Sequence, residues 1–199
     1  MTVNRSEGIA YHSQRNNLVV PLASCNTTSI VMALLQAGHT LPPHDGQPED
    51  ALSRHLQTQE AFAKQRELAP WSVKDYPPQE VHVVLEWGTN SWMGAEVDAF
   101  TDGMVKQGLH LGLQNGCGFA LSGKFPRRNG SVLGHIVSLA GYVEHGGVVV
   151  EWIIDDPYGD WHTDYTDHHG NNVFLTDADF DAIFRKGHTY WAHVIGAKG

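Results

Sequence analysis

The chain has 199 residues, of which 41% are hydrophobic and 18% charged, with a mean hydropathy of −0.30. This composition describes one globular domain with a sizeable core and excludes a disordered chain. The formal net charge of −9 comes from 13 basic and 22 acidic residues. The only dense basic spots are Arg127–Arg128 and Arg185–Lys186, which excludes a nucleic-acid-binding face built on clustered cations.

No run reaches the roughly 18 consecutive apolar residues of a membrane span. The opening MTVNRSEGIAYHSQRNN lacks the apolar stretch of a signal peptide, so cytoplasmic synthesis without a signal peptide is expected. The stretch Thr27 to Ala37 (TTSIVMALLQA) predicts an apolar helix that stops at Gly38, with Ser24 and Asn26 supplying capping chemistry at its start. After the loop LPPHDGQPED, Pro48, Glu49 and Asp50 open a second helix in which Leu52, Leu56 and Phe62 recur at helical spacing. Periodicity leaves Glu80 to Trp87 open between helix and strand. Val97, Phe100 and Met104 predict a third helix across Ala95–Gln107.

Beyond Gly108 the texture becomes β-rich: GFALSGKF, HIVSLAGYV, VVVEWII and TYWAHVI, separated by Gly and polar turns. Glu144–Gly147 (EHGG) reads as a hairpin turn. Thr176 to Arg185 reads as a short helix with a capping-box arrangement of Thr176 and Asp179. Helices lead and strands follow, which predicts an α+β fold with an antiparallel sheet against an N-terminal helical lobe. One domain over 1–199 is expected, its helical lobe spanning about 11–108 and its sheet lobe about 109–199.

Four features carry candidate chemistry. Cys25 stands at the start of the first helix, where the macrodipole favours a thiolate; a packed small hydrophobe is the bland alternative. His135 opens an apolar strand after a Gly, where an imidazole can face a cleft. Asp155–Asp156–Pro157 closes the next strand, and the EHGG hairpin returns these acids toward His135. Two acids at the end of a buried strand require partners. Gln14 precedes Cys25 by eleven positions, and a side-chain amide there could donate to a developing oxyanion. Together, the order Gln, Cys, helix, His on a strand and Asp after the next strand follows the nucleophile–base–orienter logic of thiol catalysis.

These stretches (HSQRNN, ASCNTTSIVMALL, GHIVSLAGY and DDPYGDW) resemble the double-glycine leader peptidase-like branch of the papain-like cysteine peptidases. The likeness spans about Tyr11 to Trp161, although the middle third contributes no motif. It implies a papain-like fold, no cofactor, and roles for Cys25 as nucleophile, His135 as base, Asp156 as orienter and Gln14 in the oxyanion hole, with Asp155 the alternative orienter. Asn26 stands where members usually carry Gly. No transporter domain follows, so leader cleavage coupled to export is not expected. Stand-alone members in bacteria and phages include enzymes that resemble cell-wall-lytic ones, which suggests peptide or peptidoglycan substrates and action at the cell wall. An acyl transferase on the same site and a non-enzymatic binding module are the competing readings.

Cys117, flanked by Gly in NGCGFALSG, reads as a packed residue, although a bridge to Cys25 would silence the proposed nucleophile. The acidic, His-rich Asp160–Asn172 reads as a solvated loop rather than a metal site, because its spacing matches neither a calcium loop nor HExxH. Its metal-binding alternative would use His162, His168 or His169. Most of the six tryptophans are expected in or beside the core.

Overall fold

A computed structural model describes all 199 residues. The β-rich runs pair antiparallel throughout, in the order β2 (Asp98–Met104), β8 (Thr189–Ile195), β3 (Gly118–Pro126), β4 (Val132–His145), β5 (Val148–Asp155) and β6 (Val173–Thr176). Two short strands complete the sheet: β1 (Thr2–Asn4) on β4 and β7 (Arg185–Lys186) on β8. The EHGG turn joins β4 to β5 with Ser138 opposite Asp155. That register returns the acid pair to the part of β4 just beyond His135.

Alternation along the strands sends side chains to two separate cores. On β3, Phe119, Leu121 and Phe125 meet α5 (Lys106–Gln114) and α6 (Asp177–Phe184) through Leu109, Leu113, Phe180 and Phe184. Ala120 on the same strand turns to the other face with Ile136 and Ile195. There it packs with α1 (Cys25–Gln36), α2 (Pro48–His55) and α4 (His82–Met93). Helices therefore cover both faces of the sheet. Each fully buried Leu, Ile or Phe adds about 1.5–3 kcal/mol to this sandwich.

Helix α1 is the interior element. Ile30, Val31, Met32, Ala33 and Leu34 are all buried, as expected of a helix apolar on every side. A side chain on Gly118 would overlap the Ala33 carbonyl, so this glycine permits α1 to lie directly on β3. Polar pins set its register against β4: the Ser29 hydroxyl donates to the Ile136 carbonyl at 2.9 Å, and Ser138 donates to Gln36 Oε1 at 2.6 Å. Gly38, with φ of +83°, ends the helix as its sequence predicts.

Two expectations about elements change, and one left open is decided. Ala95–Gln107 is not a helix: Asp98–Met104 forms the edge strand β2, and α5 begins only at Lys106. Phe100 and Thr101 pair there with His193 and Ala192, so sheet pairing overrides the apparent helical spacing, and the sheet draws on residues before 108. The second helix divides into α2 and α3 (Gln59–Leu68), with Thr58 capping the second piece through Ala61 N–H. The ambiguous stretch after Glu80 is helical, as α4. At the other end, Thr176 accepts from Asp179 N–H, the capping arrangement read from the sequence.

Candidate active site

Cys25 is the first residue of α1, and Ser24 at the cap position makes no side-chain cap. The first backbone bond of this turn runs from Thr28 N–H to the Ser24 carbonyl at 3.0 Å. The N–H groups of Cys25, Asn26 and Thr27 therefore have no intrahelical acceptor, and the positive end of the helix is open beside the sulfur. The cap role expected of Ser24 is replaced by a hydroxyl network: the Asn17 amide lies 2.8 and 3.0 Å from the hydroxyls of Ser24 and Thr28. Asn26, in the position after the cysteine, is anchored by Nδ2, which donates to the Gln79 carbonyl at 2.6 Å. Its Oδ1 accepts from Cys25 Sγ at 3.4 Å.

His135 is buried on β4, and its Nε2 lies 2.7 Å from Asp156 Oδ1. That bond leaves Nδ1 for the cleft, where Cys25 and His135 line the same wall. Burial alone would depress the imidazolium. The charge and hydrogen bond of Asp156, followed by those of the Cys25 sulfur, override it and push the ring up to about 10. Asp156 is itself held from several sides. Its Oδ1 also accepts from Tyr158 N–H at 2.9 Å, Oδ2 accepts from the Tyr165 hydroxyl at 3.3 Å, and its carbonyl accepts from the Tyr11 hydroxyl at 2.6 Å. Tyr158 and Tyr165 also stand edge-on to the imidazole, and burial pushes the Tyr165 hydroxyl well above its ordinary value.

The neighbouring acid goes elsewhere. Asp155 accepts from Ser6 Oγ, from Gln36 Nε2 at 2.9 Å and from Asn172 N–H at 2.8 Å. It joins the N-terminal segment, the far end of α1 and the chain before β6. Burial raises its carboxyl above the usual range despite these donors. The two acids are both sequestered, one against His135 and one in the scaffold.

Gln14 is buried on a 3-10 turn behind the cleft, and it does not line the wall shared by Cys25 and His135. Its N–H donates to the Pro157 carbonyl at 3.0 Å, just past Asp156, and its Nε2 donates to the Pro21 carbonyl at 3.2 Å, in the loop leading to Cys25. Gln14 Oε1 has no partner.

The cleft measures about 450 Å³ and also draws on Leu22, Tyr76, Glu80, His82 and Ser122. Sequence reading missed these residues, since a lone His or Glu at the start of a helix gives no signal until the cleft is assembled. No tryptophan lines the cleft, and Trp152 is fully buried in the core. Cys117 packs against the α5–α6 core; both cysteines are free thiols, so no bridge silences Cys25. In the Asp160–Asn172 loop the acids serve local bonds: Asp160 caps His162 N–H, Asp164 pairs with Arg127 at 2.9 Å, and Asp167 accepts from His169 N–H. No three His, Cys, Asp or Glu side chains gather in metal-binding geometry.

No helix is long and apolar enough to cross a membrane. No protein-family profile matches the chain, and no curated protein does. Among solved structures, the chain is similar to one described as a "putative C39-like peptidase" from Bacillus anthracis, at 15% identity and a TM-score of 0.61, over 100% of this chain and 99% of that one. The likeness spans both chains almost end to end, and at this identity it speaks for the fold. The protein therefore has the α+β, papain-like fold of a C39-type peptidase.

Proposed function

We propose that the protein is a cysteine-nucleophile hydrolase of peptide or amide bonds, working through Cys25, His135 and Asp156. The observation that carries this reading is the 2.7 Å bond between buried His135 and Asp156, on the cleft that Cys25 enters from the open end of α1. His135 carries the proton given up by the Cys25 thiol, and Asp156 holds the resulting imidazolium in orientation. The sulfur attacks the substrate carbonyl, and the Cys25 N–H at the helix start receives the developing oxyanion. Gln14 can serve as the second donor only by releasing the Pro21 carbonyl that its Nε2 now holds. His135 then protonates the leaving amine, and water releases the acyl group from sulfur. Asp155 has no part in these steps, because its oxygens are occupied by Ser6, Gln36 and Asn172.

The finer substrate reading, bacterial cell-wall peptides, rests on the sequence resemblance. The test is incubation of wild type and Cys25→Ala with purified peptidoglycan and with an unfolded polypeptide, followed by mass spectrometry of the products. New amino termini produced by wild type alone support peptide-bond hydrolysis, whereas released lactyl-sugar ends would make the enzyme an amidase. Equal products from both proteins, or none from either, overturn the proposal. Adding a primary amine separates hydrolysis from acyl transfer, which would yield conjugates.

A further inference from the structure

A second chain of titratable groups reaches the same cleft from the opposite side. Asp98 on β2 and His193 on β8 are buried, 5% and 1% exposed, and His193 Nδ1 lies 2.9 Å from Asp98 Oδ2. His193 Nε2 in turn lies 3.1 Å from Nδ1 of His82, the first residue of α4. The His82 ring is clamped flat on Phe100, with centroids 4.5 Å apart and planes within 2°. None of these residues is needed by the thiol chemistry, yet their chain ends on the wall that carries Cys25.

The polarity of this chain follows from its buried end. A carboxylate only accepts, so His193 Nδ1–H donates to Asp98 Oδ2. When His193 holds a single proton, on Nδ1 toward Asp98, its Nε2 accepts from His82 Nδ1–H, which leaves the lone pair of His82 on Nε2. That nitrogen makes no hydrogen bond within the protein and is not sealed from solvent. Burial lowers the His82 imidazolium to about 3, so the ring stays neutral. Glu80 stands two residues earlier on the same wall as its only carboxylate, with no ion-pair partner, and no Lys or Arg lines the cleft. An open carboxylate beside a fixed neutral acceptor complements an ammonium or guanidinium group.

We propose that Glu80 and His82 form the subsite for a basic side chain of the substrate, with His82 held in its acceptor tautomer by the buried Asp98–His193 pair. This inference rests on the reading of Cys25 as the nucleophile of a peptide hydrolase. His193 is then a positioning residue, acting through His82.

The test uses paired peptides around a mapped cleavage site, identical except for Lys against the uncharged, near-isosteric norleucine at each position in turn. At one position wild type should prefer Lys by about tenfold in kcat/KM, close to 1.4 kcal/mol. That ratio should fall toward one in Glu80→Gln and in His82→Phe. His193→Phe should lower it as well, and ¹⁵N spectra of histidine-labelled wild type should show an unprotonated His82 Nε2. A wild type with no Lys preference at any position, or a ratio that survives both cleft substitutions, overturns the subsite. If no peptide is cleaved, the hydrolase reading fails separately, and the subsite is read from Cys25 modification by cationic and anionic methanethiosulfonates, scored on the Cys25 peptide. The cationic reagent should lose its advantage in Glu80→Gln, and an unchanged ratio would exclude the subsite.

Discussion

The Ser29 hydroxyl donates to the Ile136 carbonyl at 2.9 Å, tying the helix of Cys25 to the strand of His135. Ser29 lies one turn along α1 from Cys25, and Ile136 directly follows His135, so this single buried bond helps set the separation of sulfur and imidazole. Ser29→Ala should cost about 1 kcal/mol, a Tm drop of roughly 2–4 °C for a chain of this length. Its kcat/KM should fall by more than the folded fraction explains, because the reacting groups lose their alignment. Calorimetry beside initial rates on the mapped substrate checks both. A stability loss with unchanged kcat/KM would show that the bond serves the scaffold alone.

Asp155 and Asp156 should separate cleanly by substitution. Asp156→Asn should lower kcat by about 10²–10⁴-fold, since an amide leaves His135 in the wrong tautomer. Asp155→Asn places an amide among the three donors from Ser6, Gln36 and Asn172. That should cost about 1–3 kcal/mol of stability with a far smaller change in kcat. Urea melts and rates on the two variants decide it, and the reverse pattern would assign the orienting role to Asp155.

The pH dependence of stability should carry the signature of His135. Its folded value is raised from the ordinary 6.5 to about 10, so the folded state binds the extra proton between those limits. The stabilisation is then fully present below about pH 6.5 and is lost as pH rises through about 10. Denaturant titrations across this window should show the decline in wild type and a weaker one in Asp156→Asn, which lacks the partner charge. Parallel curves would place the source of the decline elsewhere.

The loop behind Asp156 is sterically closed. The Asp156 N–H donates to the Gly170 carbonyl at 2.8 Å, and a side chain on Gly170 would overlap the Asp156 carbonyl. Gly170→Ala should therefore displace the backbone that orients the carboxylate, costing about 1–3 kcal/mol and lowering kcat with it. Wild-type rates and stability in this variant would contradict the close packing.

Much of this arrangement was legible in the sequence because it is local. The apolar run after Cys25, the Gly–His start of β4 and the EHGG hairpin placed sulfur, imidazole and acids on named elements. The choice between Asp155 and Asp156 was not legible, since adjacent residues face different surroundings and only tertiary partners separate them. Strand β2 was misread because Val97, Phe100 and Met104 match helical spacing, while the pairing that makes a strand comes from β8, some ninety residues later. The same separation hid the Asp98–His193–His82 chain. Gln14 was found beside the site, but its bond to Pro21 depends on a loop conformation that periodicity does not encode.

The central claim is that Cys25 is a working thiol driven by His135. It is tested most directly by alkylating the native protein at neutral pH and reading each cysteine by peptide mapping. Cys25 should react much faster than Cys117 in wild type, and that excess should vanish in His135→Ala with the fold retained by circular dichroism. Equal reactivity of the two thiols, or a fast Cys25 indifferent to His135, would contradict the account.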